Sequence, residues 1–375
     1  MNNIGIYVHF PFCATKCTYC DFNSYSNIHH LQKEYLEALV NEIRANADKS
    51  KVVDTIFIGG GTPSIATTGT IATIMTAIKS SFMVLNDAEI TIEANPNSIK
   101  FDNLTEWKEA GINRISVGLQ TTNKRILRLI GRSHDRDDYI RAIDLIKSFG
   151  FENINTDLMI GLPKQKSSDV KYAINLCVKL GCKHISCYSL ILEGNTPLYT
   201  LVKEGRIKLP KEAKVVGMYK TAVTSLRKLG FERYEVSNFA QDKYECKHNL
   251  NCWHLSEYYG FGAGAHGYID NKRYSNECDV KKYINLINKN SSAKVSVDKL
   301  TNIDHYEEAL MLGLRLKDGV SIKVLDEYLG ESFLEKYKTQ INKYLKLGLI
   351  KINENISATD SGFMVLNQII LDLVI

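Results

Sequence analysis

Short runs of apolar, often β-branched residues recur along the first half of the chain: GIYVHF (5–10), VVDTIFIG (52–59), EITIEAN (89–95), INRISVGL (112–119), NINTDLMIGL (153–162) and HISCYSLIL (184–192). Between them, apolar residues return every three or four positions. In 31–46, Leu31, Tyr35, Leu36, Leu39, Val40 and Ile43 share one helical face, and in 138–149 Ile140, Ile143, Ile146 and Phe149 do the same. Strands alternating with helices predict a parallel sheet with right-handed crossovers. Six such units predict an α/β fold, an open sheet or a partial barrel, with function at the C-terminal ends of its strands.

The pattern changes after about residue 200. Residues 211–229 read as a helix, whereas 231–268 are rich in aromatics, glycine and polar residues and do not repeat the βα unit. Beyond residue 291, HYEEALMLGLRL and LEKYKTQINKYLKLGLI lead into ISATDSGFMVLNQIILDLV, which predicts a small, mainly helical domain of winged-helix type with a short hairpin. The division expected is therefore a core over 1–200, an extension over 201–290 and a C-terminal domain over 291–375. A DNA-binding winged helix needs a basic recognition helix. Lys336, Lys338, Lys343 and Lys346 are too thinly spread for one, so no nucleic-acid partner is expected.

Composition narrows the setting. A length of 375 residues is large for a single compact domain, and the 44% of hydrophobic residues supports a well-buried core. No stretch of about 18 apolar residues occurs, which excludes a membrane-spanning helix. The net charge of +5 is dispersed along the chain. The opening MNNIGIYVHF lacks the pattern of an export signal, and the nine cysteines are an odd number. Reduced thiols or metal ligands in the cytoplasm are therefore expected, rather than a disulfide framework.

Three of those cysteines stand together in FCATKCTYCDF, where Cys13, Cys17 and Cys20 follow spacings of four and three. Pro11 just before them indicates a loop leaving a strand rather than a helix face. Three buried thiols are the plain reading. Zinc wants a fourth ligand and usually shorter gaps. A [4Fe–4S] cubane also takes four ligands, so three from the protein leave one iron open to a small molecule. Other chemistry gathers at the ends of the following strands. GGGTP (59–63) is a glycine turn that lets a ligand approach the backbone. Glu93 in EANP suits a ribose diol, Gln120 in SVGLQ both donates and accepts, and Asp157 closes the fifth strand.

With C-x3-C-x2-C on the first βα loop and the glycine turn after the second strand, the chain resembles the radical S-adenosylmethionine (SAM) superfamily. There, the amino and carboxylate groups of SAM occupy the open iron, and an electron from the cluster can cleave the sulfonium. YVHFPFCATKCTYCDFNSY, FIGGGTPS, TIEANP, RISVGLQ, LIGRSHD, DLMIGLPKQ and GFGAGAHGY extend the resemblance to the oxygen-independent coproporphyrinogen III oxidase group, from residue 7 to about 268. It implies a partial (βα)6 barrel and a set of roles. Tyr7 and Tyr19 would flank the cluster and SAM, and Gly60, Gly61 and Thr62 would hold the methionine end. Glu93 would hold the ribose, and Gln120, Arg132 and Asp157 would complete the pocket, with Ser189 and His266 as weaker candidates. A guanidinium at Arg132 can hold a carboxylate bidentately.

Within the group two readings compete. The oxidases proper carry a fourth cysteine two residues after the third, where this chain has Phe22. A haem-chaperone branch lacks that cysteine and carries an H-N-x-x-Y-W motif associated with haem. The chain has HNLNCW (248–253), with Cys252 in place of the tyrosine. Residues 244–268 supply His248, Cys252, His254 and His266 beside Trp253, Tyr258, Tyr259 and Phe261, residue types that could serve as axial ligands and as a flat wall. The resemblance thus implies a haem chaperone, with His248 as the leading haem contact and a haem-accepting apoprotein, membrane-bound in some relatives, as partner. The oxidase is the alternative, and a homodimer is left open. A metal site on Cys246, His248, Cys252 and His254 would match no common zinc spacing. Cys177, Cys182, Cys187, Cys246, Cys252 and Cys278 are expected to be plain thiols.

Overall fold

Alternation along the first strand shows how the barrel is built. In β1 (Ile4–Phe10), Ile4, Ile6, Val8 and Phe10 are buried in the main hydrophobic core, while Gly5, Tyr7 and His9 lie on the opposite, inner face. The computed structural model describes residues 3–374. Within them β1, β2 (Asp48–Gly60), β3 (Phe82–Ala94), β4 (Arg114–Gln120), β5 (Asn153–Ile160) and β6 (His184–Ser189) pair parallel in chain order, the six units expected. β2 and β3 begin earlier than their apolar runs. Their first residues pair with each other across register shifts, and Lys49 Nζ donates to Phe82 O at 3.1 Å. Backbone pairing lengthens these strands where side-chain hydrophobicity gives no signal.

The crossover helices present the predicted faces. Helix Gln32–Ala45 buries Tyr35, Leu39, Val40 and Ile43, and helix Glu212–Lys228 buries Met218, Ala222 and Leu226. Helix Arg136–Ser148 buries Tyr139, Ile143 and Ile146. It starts where the Asp135 carboxylate accepts from the N–H groups of Asp137 and Asp138, a capping box that satisfies its free donors.

The segment after residue 200 extends the sheet at both edges. β7 (Glu232–Arg233) and β8 (Asn238–Ala240) add antiparallel beyond β6. β9 (Tyr258–Phe261) pairs parallel with β1, and β10 (His266–Ile269), β11 (Lys272–Asn276) and β12 (Lys294–Lys299) follow it. Among the described residues the sheet has twelve strands, in the order β12-β11-β10-β9-β1-β2-β3-β4-β5-β6-β8-β7. β12 therefore belongs to the main sheet although it lies beyond residue 291. Its ladder with β11 decides this, since all six of its side chains are exposed.

The C-terminal domain has its own core around Tyr306, Leu310, Leu325, Phe333, Ile341, Ile356 and Ile369. Helices Asn302–Gly313, Ile322–Leu329 and Lys338–Lys346 pack with a three-stranded antiparallel sheet of β13 (Val320–Ser321), β15 (Asn355–Ala358) and β14 (Ile350–Ile352), as a winged-helix arrangement requires. Arg233 joins it to the barrel by stacking 3.7 Å from the Phe363 ring centre and pairing with Asp360 at 2.8 Å. No helix among the described residues is long and apolar enough to cross a membrane.

Candidate functional site

At the C-terminal rim of β1–β6 lies a cavity of about 510 Å³. It brings together Cys13, Cys17, Cys20, Tyr19, Gly60, Gly61, Thr62, Glu93, Gln120, Arg132 and Asp157, with Ser189 at its edge. The loop carrying the cysteines is pinned at several points. Cys13 N donates to Tyr25 O at 2.9 Å, Tyr25 N to Pro11 O at 2.8 Å, and Thr18 N to Ile130 O at 3.1 Å. Asn23 Nδ2 reaches across to Ala263 O and Cys278 O, both at 3.0 Å, so the GFGAGAHG segment braces this loop. Among the described residues no three His, Cys, Asp or Glu side chains converge closely enough for a single metal ion. The three thiols all line the cavity. Burial pushes the Cys20 thiol up, and a bound cation would draw out its thiolate.

The glycine turn is zipped to the strand that feeds the cysteine loop. Gly61 N donates to Phe10 O and Thr62 N to Phe12 O, each at 2.8 Å, and Thr62 Oγ1 lies 3.5 Å from Cys13 Sγ. A side chain at Gly61 would put its Cβ 2.6 Å from Phe12 O, against backbone that cannot yield. Gly60 has φ +108°, and a Cβ there would meet the His9 ring at 2.5 Å. Only glycine permits this approach.

Four polar side chains face the cavity from successive elements. Glu93 accepts from Gly60 N at 3.1 Å; burial, then the Asp157 charge, push its carboxyl up to about 7. Gln120 ends β4 at φ +64°, an uncommon conformation for a side-chain-bearing residue, and accepts from Tyr188 OH at 3.0 Å. Arg132 Nη2 donates to Tyr19 OH at 3.1 Å, while its buried Nε has no partner. Burial alone would lower the Arg132 guanidinium, but Tyr19 and Cys17 outweigh it and hold the charge. Asp157 is raised, chiefly by burial, and is held by Ser116 Oγ at 3.1 Å and Asn155 Nδ2 at 2.8 Å.

Three expected residues, Tyr7, His248 and His266, lie elsewhere. Tyr7 sits inside the barrel near Glu93, with its hydroxyl 2.9 Å from His9 Nδ1 rather than on the cavity wall. His9 Nε2 donates to Asn23 O at 2.8 Å, and burial lowers its pKa, so it is the neutral hinge between β1 and the cysteine loop. His248 lies at the opposite end of the barrel. Helix Lys247–Trp253 closes that end, its first N–H groups (Lys247 and His248) donating to the Glu89 carboxylate at 3.1 Å each. The His248 ring points inward, with Nδ1 3.0 Å from Thr55 Oγ1 and its centre 5.4 Å from that of Phe57. Burial lowers its pKa to about 4. In this arrangement its ring is shut away from any macrocycle. Asn249, Cys252 and Trp253 of the same helix instead line a second cavity of about 500 Å³, with Tyr258, Tyr268, Arg273 and Met311. His266 is exposed at the start of β10.

Ser116, Asn155, His9 and Tyr188, which support these groups, escaped the sequence reading. Their signal was the two-residue period: Ser116, Gly118 and Gln120 share one face of β4, as Asn155 and Asp157 do on β5. The cavity suits a [4Fe–4S] cluster with SAM. It offers three thiols and no fourth, a turn that no side chain could occupy, and an orphaned guanidinium nitrogen.

The Radical SAM superfamily model matches residues 7–177 and the HemN C-terminal domain model residues 300–365. The heme chaperone HemW of Bacillus subtilis (strain 168) is 38% identical over 367 residues, 97% of each chain. That of Escherichia coli (strain K12) is 34% identical over 271 residues, 71% of this chain and 70% of its own. The solved structure of coproporphyrinogen III oxidase (HemN) from Escherichia coli superposes with a TM-score of 0.86, covering 99% of this chain and 90% of that one. At 23% identity, that likeness speaks for the fold alone. With its near-complete alignment to HemW chains and its three-cysteine rim, this chain belongs to the HemW family of the radical SAM superfamily.

Proposed function

We propose that the protein is a cytoplasmic haem chaperone that keeps a [4Fe–4S] cluster on Cys13, Cys17 and Cys20, binds SAM beside it, and passes haem to an apoprotein. The observation that carries this reading is the similarity to HemW sustained over 97% of the chain. Phe22 supports it against the oxidase alternative. It stands 63% exposed at the cavity mouth, where the oxidases' pattern has a fourth thiol.

The residues divide the work by chemistry. Backbone at Gly60 and Gly61, with Thr62, would take the methionine end of SAM, and Arg132 would hold its carboxylate as a charge-assisted pair. Glu93 would accept from the ribose hydroxyls, while Gln120 and Asp157 would order the remaining polar groups. When bound, the cluster supplies an electron and SAM a reducible sulfonium. Tyr19, Met159 and Tyr188 would wall that pair on one side.

Haem is assigned to the HNLNCW helix. Cys252 and Trp253 already face the second cavity there, whereas His248 reaches haem only by releasing Thr55. The test is a haem titration followed by the Soret band on anaerobically reconstituted protein, with His248→Ala and Cys252→Ala variants. The same sample is assayed for conversion of coproporphyrinogen III with SAM and a reductant. Saturable binding weakened by either variant, without porphyrinogen product, supports the chaperone; product without specific haem binding restores the oxidase.

A further inference from the structure

Beneath the rim cavity, a line of hydrogen bonds runs through the barrel interior from Asp157 to the far end. Asn155 Nδ2 donates to Asp157 Oδ1 at 2.8 Å and to Ser116 Oγ at 2.7 Å, and Ser116 Oγ donates to Asp157 Oδ2 at 3.1 Å. The other amide atom, Asn155 Oδ1, accepts from Ser186 N at 3.2 Å, which identifies it as the oxygen. His184 Nδ1 lies 2.6 Å from that oxygen, and His184 Nε2 lies 2.8 Å from Tyr234 OH. Tyr234 OH in turn accepts from Cys246 N at 3.3 Å, beside the closing helix.

The proton positions follow from the partners. An amide oxygen only accepts, so Nδ1 of His184 carries the hydrogen. Nε2 then has only a lone pair to offer, so Tyr234 donates to it, and every link points the same way toward Asn155 and Asp157. His184 and Asn155 are buried, with Arg114 packed against this row. No part of the pocket touches His184, so whatever it does there it does through Asn155.

We infer that His184, held as the Nδ1-protonated imidazole by the Asn155 amide oxygen with Tyr234 donating to its Nε2, is the positioning residue that sets the orientation of Asp157 for SAM through Asn155. This rests on the SAM pocket of the proposed function. A histidine that only filled space between β5 and β6 would need neither a fixed tautomer nor this direction of donors.

The test uses the full chain with its cluster reconstituted anaerobically and SAM affinity measured by equilibrium dialysis. His184→Phe keeps a ring and removes both nitrogens, and is expected to weaken SAM about tenfold, the loss of one buried polar link. Tyr234→Phe, which removes the donor to Nε2 but leaves Nδ1–H on Asn155, is expected to weaken it less, with iron content kept in both. Unchanged SAM affinity in a cluster-loaded His184→Phe protein overturns the inference while leaving the pocket intact. Wild-type protein that takes up no SAM overturns the pocket reading and the inference with it. Nitrogen-15 NMR of the wild-type imidazole is independent of whether the variants fold: a proton on Nδ1 supports the assignment, and one on Nε2 overturns it.

Discussion

The two ends of the barrel carry nearly the same side chains. At the rim, Glu93, Arg132 and Asp157 face a cavity bounded by the three cluster cysteines. At the base, Glu89 and Arg114 lie beside helix Lys247–Trp253, which carries His248. The Glu89 carboxylate spends itself on that helix's N–H groups, and His248 on Thr55. At the rim, these groups line an open cavity; the Arg132 Nε has no partner there, as the Arg114 Nε has none at the base. A buried polar group costs free energy unless paired, so the carboxylate and imidazole of the base are satisfied by the protein, while the rim groups face an open cavity. The same chemistry is structure at one end and binding at the other.

The largest effect should come from emptying the rim of its thiols. A triple Cys13, Cys17, Cys20 to serine variant is expected to hold iron and sulfide only at background after reconstitution, with its thermal unfolding transition retained. A full cluster complement in iron and sulfide assays would refute the ligand assignment.

The base should respond through stability instead. His248 is expected to titrate near 6.5 when unfolded and near 4 when folded, so between those values the unfolded chain binds more protons. Its contribution is present above about 6.5 and is lost as pH falls toward 4, by on the order of 3 kcal/mol. His248→Gln should unfold more easily in urea at pH 7.5 but lose less stability on acidification. An unchanged slope would place the titration elsewhere.

Arg132→Met sharpens the contrast from the rim side. Losing a charge-assisted hydrogen bond of about 1.5–3 kcal/mol should weaken SAM roughly 10- to 100-fold, with urea stability little changed. Equal losses in affinity and stability would make Arg132 structural, like the groups at the base. The smallest effect expected is at Glu93. Its raised carboxyl ionises only above about pH 7, and the carboxylate accepts from a diol better than the acid. SAM affinity should therefore rise by less than tenfold as pH climbs through 7, and Glu93→Gln should flatten the profile.

Much of the rim was legible in the chain because each residue sits in, or just beyond, the C-terminal half of its own strand. Cys13, Gly60, Glu93, Gln120 and Asp157 follow apolar runs of two-residue period, and a parallel sheet in chain order must gather strand ends at one rim. His248 shows the limit. Its neighbours in sequence are aromatic and polar, as a binding loop's would be, yet its ring contacts Thr55 and Phe57, nearly two hundred positions away.

The six βα units, the separate C-terminal domain and the three-cysteine loop were thus determined by local pattern, since periodicity and ligand spacing are properties of short segments. Tertiary structure alone decided that 231–299 would extend both edges of the sheet, that Glu89 would cap a helix, and that His9 would tie β1 to the cysteine loop. It also set the proton on His184. Those outcomes depend on which buried polar groups meet across the barrel, and a pairing between distant residues leaves no mark on the sequence around either one.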